Sequence, residues 1–301
     1  MKHFTLHRLC IATTALLMCA CSGKQSSDSN SATDRDDEYQ PASVVKPGNV
    51  VKSFKIDEDV ITASRLLCIT SPDDTTYLKI STSVQWPVKL ASFDIKPLQD
   101  ALLGILYPAY SGSDIAEAAN AFTTEVNSSL YAITAGSTIT EIDEDKAPYD
   151  AYFFDKTATI KSITSNTATF EIVTSMYSGG AHPNSDTNIF TYDLESSAII
   201  TPDMIFKPGS ENAIDSLIRN NLANQFGTTP DKLTEGGLLE NDVKMSGVMY
   251  IGQQCVCFVY QPYEIAPYSM GVITANLYFD EIKNLLTPKG ISLLGNGETQ
   301  E

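Results

Sequence analysis

The chain has 301 residues, 43% of them apolar and 19% charged. That length holds one large domain or two ordinary ones, and this balance belongs to a folded protein rather than a disordered one. Acidic residues outnumber basic ones 37 to 20, a formal charge of −17, so the surface repels phosphate backbones and nucleic acid is excluded as a partner.

Lys2 and Arg8 precede an apolar run from Leu9 to Ala20. The run is too short to span a bilayer as a mature helix, and the layout is that of a secretory signal peptide over residues 1–20. It ends in Leu17-Met18-Cys19-Ala20-Cys21, which resembles a bacterial lipobox. Cys21 is therefore expected to carry thiol-linked diacylglycerol and, on its new amine, a further acyl chain such as palmitate. Two or three chains anchor a protein to the lipid bilayer far better than one. Ser22, where an Asp would retain the protein, predicts onward transport to the outer membrane, on its periplasmic or its surface face. Residues 21–49 read as a tether, because Ser22 to Tyr39 is Ser- and Asp-rich and almost free of apolar residues. Without residues 1–20 the count becomes 18 basic against 37 acidic, or −19, which favours a cationic partner.

The folded part starts near Val50. Ile61 to Thr70 and Thr76 to Val88 read as strands, the second broken at Trp86-Pro87. Lys96 to Leu106 reads as a helix with Pro97 in its first turn and Leu98, Ala101, Leu102 and Ile105 on one stripe. Ser113 or Asp114 caps a second helix running to Val126, with Ile115, Ala118, Ala119, Phe122 and Val126 inward. Tyr149 to Tyr177 reads as two long strands turning at Asn166, and Asn188 to Leu194 as another. Ser210 opens a helix whose stripe is Ile214, Leu217, Ile218, Leu222 and Phe226, and Gly227 ends it. Met249 to Tyr260 and Val272 to Phe279 are expected as the last strands. A short helix over Asp280 to Leu286 follows, stopped by Pro288, and residues 291–301 are expected as a flexible tail. Helices inserted among consecutive strands predict an α+β fold of antiparallel sheets with packed helices.

Cys10 and Cys19 leave with the signal and Cys21 takes lipid, so Cys68, Cys255 and Cys257 remain. Cys255 and Cys257 share one face of a strand and are expected to be poorly placed to bond each other. They read as small buried hydrophobes, with a disulfide from Cys68 to one of them as the alternative. The mature chain has one histidine, His182, which excludes two-histidine metal sites. No G-x-S-x-G, Walker loop or C-x-x-C stands in the sequence. The acidic run Glu141 to Asp145 lacks Ca²⁺-loop spacing and reads as solvated. No cofactor, metal or catalytic residue is expected.

Tyr177-Ser-Gly-Gly-Ala-His-Pro-Asn184 follows a predicted strand, then come Phe190-Thr-Tyr-Asp-Leu194 and Ile200-Thr-Pro-Asp-Met-Ile-Phe206. Near the end stands Phe258-Val-Tyr-Gln-Pro-Tyr-Glu-Ile-Ala-Pro-Tyr-Ser-Met-Gly271. Together these resemble the paired domains of unknown function DUF4163 and DUF3298, placed here at 50–184 and 185–290. The chain has Ser178, Pro183 and Gln261 where Thr, Gly and Asn are usual, and no Thr-Gly-Lys turn at Glu195 to Ala198. The resemblance implies a two-part α+β module of the cell envelope, found in lipoproteins, in a lysozyme-sensing transmembrane anti-sigma factor, and beside a peptidoglycan deacetylase domain.

The residues of the two loops suggest chemistry on their own. Gly179 and Gly180 permit positive φ at a sharp strand exit. His182 is placed to pin that loop or to meet a ligand. Pro262 and Pro267 stiffen the second loop, and Tyr260, Tyr263 and Tyr268 are either recognition rings or plugs between subdomains. Glu264 is expected to meet a backbone amide, His182 or a cation. The leading functional expectation is a tethered, non-enzymatic lipoprotein that binds a lysozyme-like basic protein or an envelope glycan. The alternatives are a glycan hydrolase using His182 with a carboxylate, and a purely structural lipoprotein.

Overall fold

The computed structural model describes residues 56–90, 93–125, 136–146, 148 and 151–295. The signal segment, Cys21, the tether, the start of the fold near Val50, Val126 and the end of the expected tail lie outside these. The strands are β1 (Ile56–Thr70), β2 (Thr75–Leu90), β3 (Thr138–Ile142), β4 (Tyr152–Ile163), β5 (Thr167–Tyr177), β6 (Asn184–Asp193), β7 (Ala198–Ile199), β8 (Val248–Gly252), β9 (Cys255–Tyr260) and β10 (Ile273–Tyr278). The helices are α1 (Lys96–Leu106), α2 (Ile115–Thr124), α3 (Pro202–Ile205), α4 (Glu211–Phe226), α5 (Phe279–Ile282) and α6 (Pro288–Leu294).

One sheet has the order β3-β1-β2-β4-β5-β6-β7 and the other β10-β9-β8. Their pairs are antiparallel except β2–β4, which is parallel. The chain reaches β4 only after α1, α2 and β3, and a long crossover of this kind returns a strand in the same direction. The fold is thus α+β, with antiparallel sheets, one parallel pair and packed helices. Strand β2 is not broken at Pro87. It continues to Leu90, because a bulge that leaves Val88 unpaired separates Glu58↔Pro87 from Asp57↔Lys89 and relieves the missing proline N–H.

Helix α1 has the predicted ends, with proline in its first turn. Asp114 is the cap of α2, its carboxylate accepting from Glu117 N at 2.9 Å. Leu98, Leu102, Leu106, Ile115 and Ala119 face Val84, Trp86, Ala158, Phe170, Ile172 and Phe190 of the large sheet and close the first core. Leu102 is fully enclosed, so trimming it to Ala would cost about 2–5 kcal/mol.

The second core sits between α4 and the small sheet, with Ile214, Ile218 and Leu222 against Val256, Phe258, Ala275 and Leu277. Leu217 and Phe226 are partly buried beside it. Gly227 ends α4 at φ 65°, as its position predicts. The side chains of Asn221 and Gln225 bond the backbone of Asn276 and Thr274, so α4 also shields the open edge of β10.

Three further expectations are corrected. Met249 to Tyr260 is a hairpin rather than one strand, turning at Gln253-Gln254 with Gln254 at φ 56°. Pro288 starts α6 instead of stopping a helix: it fills the first turn after Thr287, whose hydroxyl accepts from Gly290 N at 3.1 Å. Residues 291–294 of the expected tail belong to that helix, and Leu294 is buried in the second core. The large sheet runs on past residue 184 through β6 and β7 to Ile199.

Candidate recognition site

The β5–β6 turn, 178–183, supplies half of the site. Gly179 and Gly180 have φ 92° and 114°, backbone that side chains with a Cβ rarely adopt. A Cβ on Gly179 would also stand 3.2 Å from the Tyr152 hydroxyl. Tyr177 closes the turn by donating to Gly180 O at 3.2 Å. This geometry turns the chain so that His182 leaves the sheet end toward the second loop.

That second loop, between β9 and β10, is held at three points. Ile265 and Ala266 are sunk in the second core. Gln261 takes both backbone groups of Thr187: its Oε1 accepts from Thr187 N at 2.9 Å, and its Nε2 donates to Thr187 O at 2.6 Å. A side-chain amide here continues the ladder beyond the strand. Glu264 accepts from Gln261 N at 2.8 Å, so of its three expected partners the backbone amide is the one found.

The rings meet above these anchors. His182 stacks on Tyr268 with centroids 3.7 Å apart and planes at 17°. Tyr268 donates to Pro183 O at 2.7 Å, and His182 Nδ1 bonds the same carbonyl at 2.9 Å. A carbonyl only accepts, so Nδ1 is the donor in this bond. The Tyr263 hydroxyl lies 3.4 Å from Nε2, a long bond, and its ring centroid is 5.7 Å from that of Tyr268. Aromatic pairs of this kind add about 0.5–1.5 kcal/mol beyond burial.

Tyr263 is 58% exposed and has φ 70°. Its N–H donates to Ala266 O at 2.9 Å, which holds the turn. An aromatic residue in this region costs about 1–3 kcal/mol and persists only where its surroundings impose it. Pro267 precedes the short turn Tyr268–Met270, which Gly271 leaves at φ 67°.

The structure thus brings together Gly179, Gly180, His182, Tyr263, Glu264, Pro267 and Tyr268. It removes Tyr260, which is 1% exposed. The Tyr260 hydroxyl donates to Lys244 O at 2.6 Å and its ring faces the second core with Val256 and Phe258. Burial pushes its pKa up. Gln261 and the Pro183 carbonyl are the parts that sequence reasoning missed. An amide residue at a strand end was the available signal for Gln261.

The matching family model, described as a protein of unknown function, DUF3298, covers residues 203–280. The chain carries a DUF3298 domain. Tyr263 and Tyr268 lie inside the matched segment, and His182 lies before it. A solved DUF3298 family structure from Bacteroides fragilis is similar with a TM-score of 0.65 and 20% identity, over 82% of this chain and 98% of that one. A DUF3298 family structure from Pseudomonas aeruginosa gives 0.52 and 14%, over 78% and 96%. At these identities the likeness is one of fold, and its coverage takes in much of the large sheet as well as the DUF3298 domain. No curated protein matches the chain.

Proposed function

We propose that this protein is a lipid-anchored, non-enzymatic module of the cell envelope that uses the His182–Tyr268–Tyr263 cluster to bind a basic protein of the lysozyme kind. The observation that carries the reading is Tyr263: a large ring left exposed on a backbone of positive φ. A rigid tyrosine over a second ring supplies contact area at little entropic cost. The charge of −17 steers a cationic partner toward it. Both His182 nitrogens are occupied by loop contacts, the bonds of a residue that positions its neighbours, and Glu264 is spent on Gln261 N. The anchor at Cys21, the export signal and the outer-membrane address stand in this proposal on the sequence alone, as does the DUF4163 likeness of the first half.

Two experiments test it. Cys21→Ala is expected to release the protein from membranes and abolish palmitate labelling; a mutant that still sediments and is labelled contradicts the anchor. Tyr263→Ala is expected to weaken binding to lysozyme at least tenfold with unchanged thermal stability, and wild-type binding is expected to fall as salt rises. Binding unaffected by the mutation overturns the assignment of the face. Turnover of peptidoglycan fragments, lost in His182→Ala, would replace it with the hydrolase reading.

A further inference from the structure

The β8–β9 hairpin carries reactive groups that the ring site does not use. Cys255 and Cys257 project from one face of β9, and their sulfurs are 3.4 Å apart, closer than their strand spacing alone suggests. Both thiols are free, as is Cys68 on β1. They are 7% and 3% exposed. Gly252, paired with Cys255 in the ladder, makes the space: a Cβ there would stand 2.7 Å from Cys255 Sγ and 3.0 Å from Cys257 Sγ. Tyr250 is paired with Cys257 in the same ladder.

The two thiols are not equivalent. Cys255 adjoins the exposed hairpin tip Gln253-Gln254, while Cys257 lies one step deeper. The bond from Cys257 lowers the pKa of Cys255 against the opposing effect of burial, and the Gly252 backbone lowers it further. Cys257 is pushed up by the same bond and by burial. A thiol beside a hairpin tip whose pKa is lowered by a second thiol in contact with it is the arrangement that thiol–disulfide exchange uses.

We infer that Cys255 and Cys257 form a redox pair, with Cys255 attacking an incoming low-molecular-weight disulfide and Cys257 resolving the adduct. In the first step the Cys255 thiolate bonds to one sulfur of R–S–S–R, the S–S bond breaks, and RS⁻ leaves. In the second, Cys257 gives up its proton and attacks the Cys255 sulfur, expelling the second RS⁻. Two protein thiols are oxidised, one disulfide is reduced to two thiols, and the two protein protons end on them or in solvent. Alternate residues of a strand have Cα atoms about 6.6–6.8 Å apart, the upper end of the disulfide range. The closed bond is therefore strained and readily reduced, a switchable link rather than a staple.

The test uses the purified chain, oxidised glutathione, maleimide trapping and peptide mass mapping. The wild type is expected to lose two hydrogens in the peptide holding Cys255 and Cys257 and to regain them with dithiothreitol. Cys257→Ser is expected to stop at a glutathione adduct on Cys255, and Gly252→Ala to close at least tenfold more slowly. Should either variant fail to fold, the wild-type map still decides. Thiols at 255 and 257 that stay fully alkylatable after oxidation, or a bond to Cys68, would overturn the inference.

Discussion

Strand β6 is joined to the DUF3298 segment and the C-terminal helix at both of its ends, and the two joints are built differently. At Asp193 the joint is sealed. The carboxylate is completely buried. It takes Lys289 Nζ at 2.6 Å, Ser196 Oγ at 2.5 Å and Glu195 N at 3.2 Å, which ties α6 to the large sheet. Nearby, Ile251 N donates to Thr191 Oγ1 at 2.8 Å in the buried seam between the sheets. At the other end, Gln261 and Tyr268 clasp the backbone at Thr187 and Pro183, yet Tyr263 is left in solvent on a strained backbone. Closing the fold requires saturated buried groups, as at Asp193. It does not require an exposed ring with positive φ, and the proposal that the second joint receives another molecule rests on that difference.

The sharpest way to break the comparison is to empty the sealed joint. Asp193→Ala leaves the half-buried Lys289 ammonium without its closest partner and should lower stability by about 3 kcal/mol in urea titrations. A loss under about 1 kcal/mol would show that the joint is incidental. Gly180→Val comes next: a β-branched residue at φ 114° should cost about 1–3 kcal/mol. His182→Ala, which loses one stack and loop hydrogen bonds, should cost about 1 kcal/mol. Equal melting temperatures for the two variants would contradict the backbone argument.

A smaller effect is the pH dependence of the sealed joint. Burial raises the Asp193 pKa, but the bonds from Lys289, Ser196 and Glu195 N outweigh it and hold the carboxyl below its ordinary value. Its contribution is therefore complete above the unfolded value of about 3.9 and is lost as pH falls through the lower folded one. Lys289 is raised by its bond to Asp193. Its contribution is complete below about 10.4 and is lost as pH rises through the folded value. Melting temperature should thus fall at both extremes, and Asp193→Asn should flatten the acid limb. An unchanged acid limb would mean that other carboxylates govern it.

The elements of the two cores were legible where one face alone is apolar. Helix α1 and the stop at Gly227 follow from side-chain spacing and backbone freedom, and the α4 stripe from period 3.6. The β8–β9 hairpin was less so: only the short Gly252-Gln253-Gln254 break marks the turn, and β9, buried along its whole length, shows no alternation. Pro288 reads equally as a stop or a first-turn residue, and only the Thr287 cap decides. The fate of Tyr260 had a usable signal: it shares the parity of Val256 and Phe258, which face the core. The meeting of His182 with Tyr268 joins residues far apart in the chain, and no local spacing encodes it; the family resemblance named both loops but not their contact. Gln261 stands out in the sequence only as a departure from the family pattern, and its hold on Thr187 appears only when the strand end is in place.

The central claim is that Tyr263 is held for recognition and not for folding. The unfolding free energy of Tyr263→Gly in urea tests it without knowledge of the partner. Glycine accepts φ 70° freely, so the strain is relieved while the exposed ring is lost. The account predicts a variant as stable as the wild type or more stable by about 1 kcal/mol, with an unchanged urea dependence. A loss of more than about 1 kcal/mol would show that the ring is structural and would contradict it.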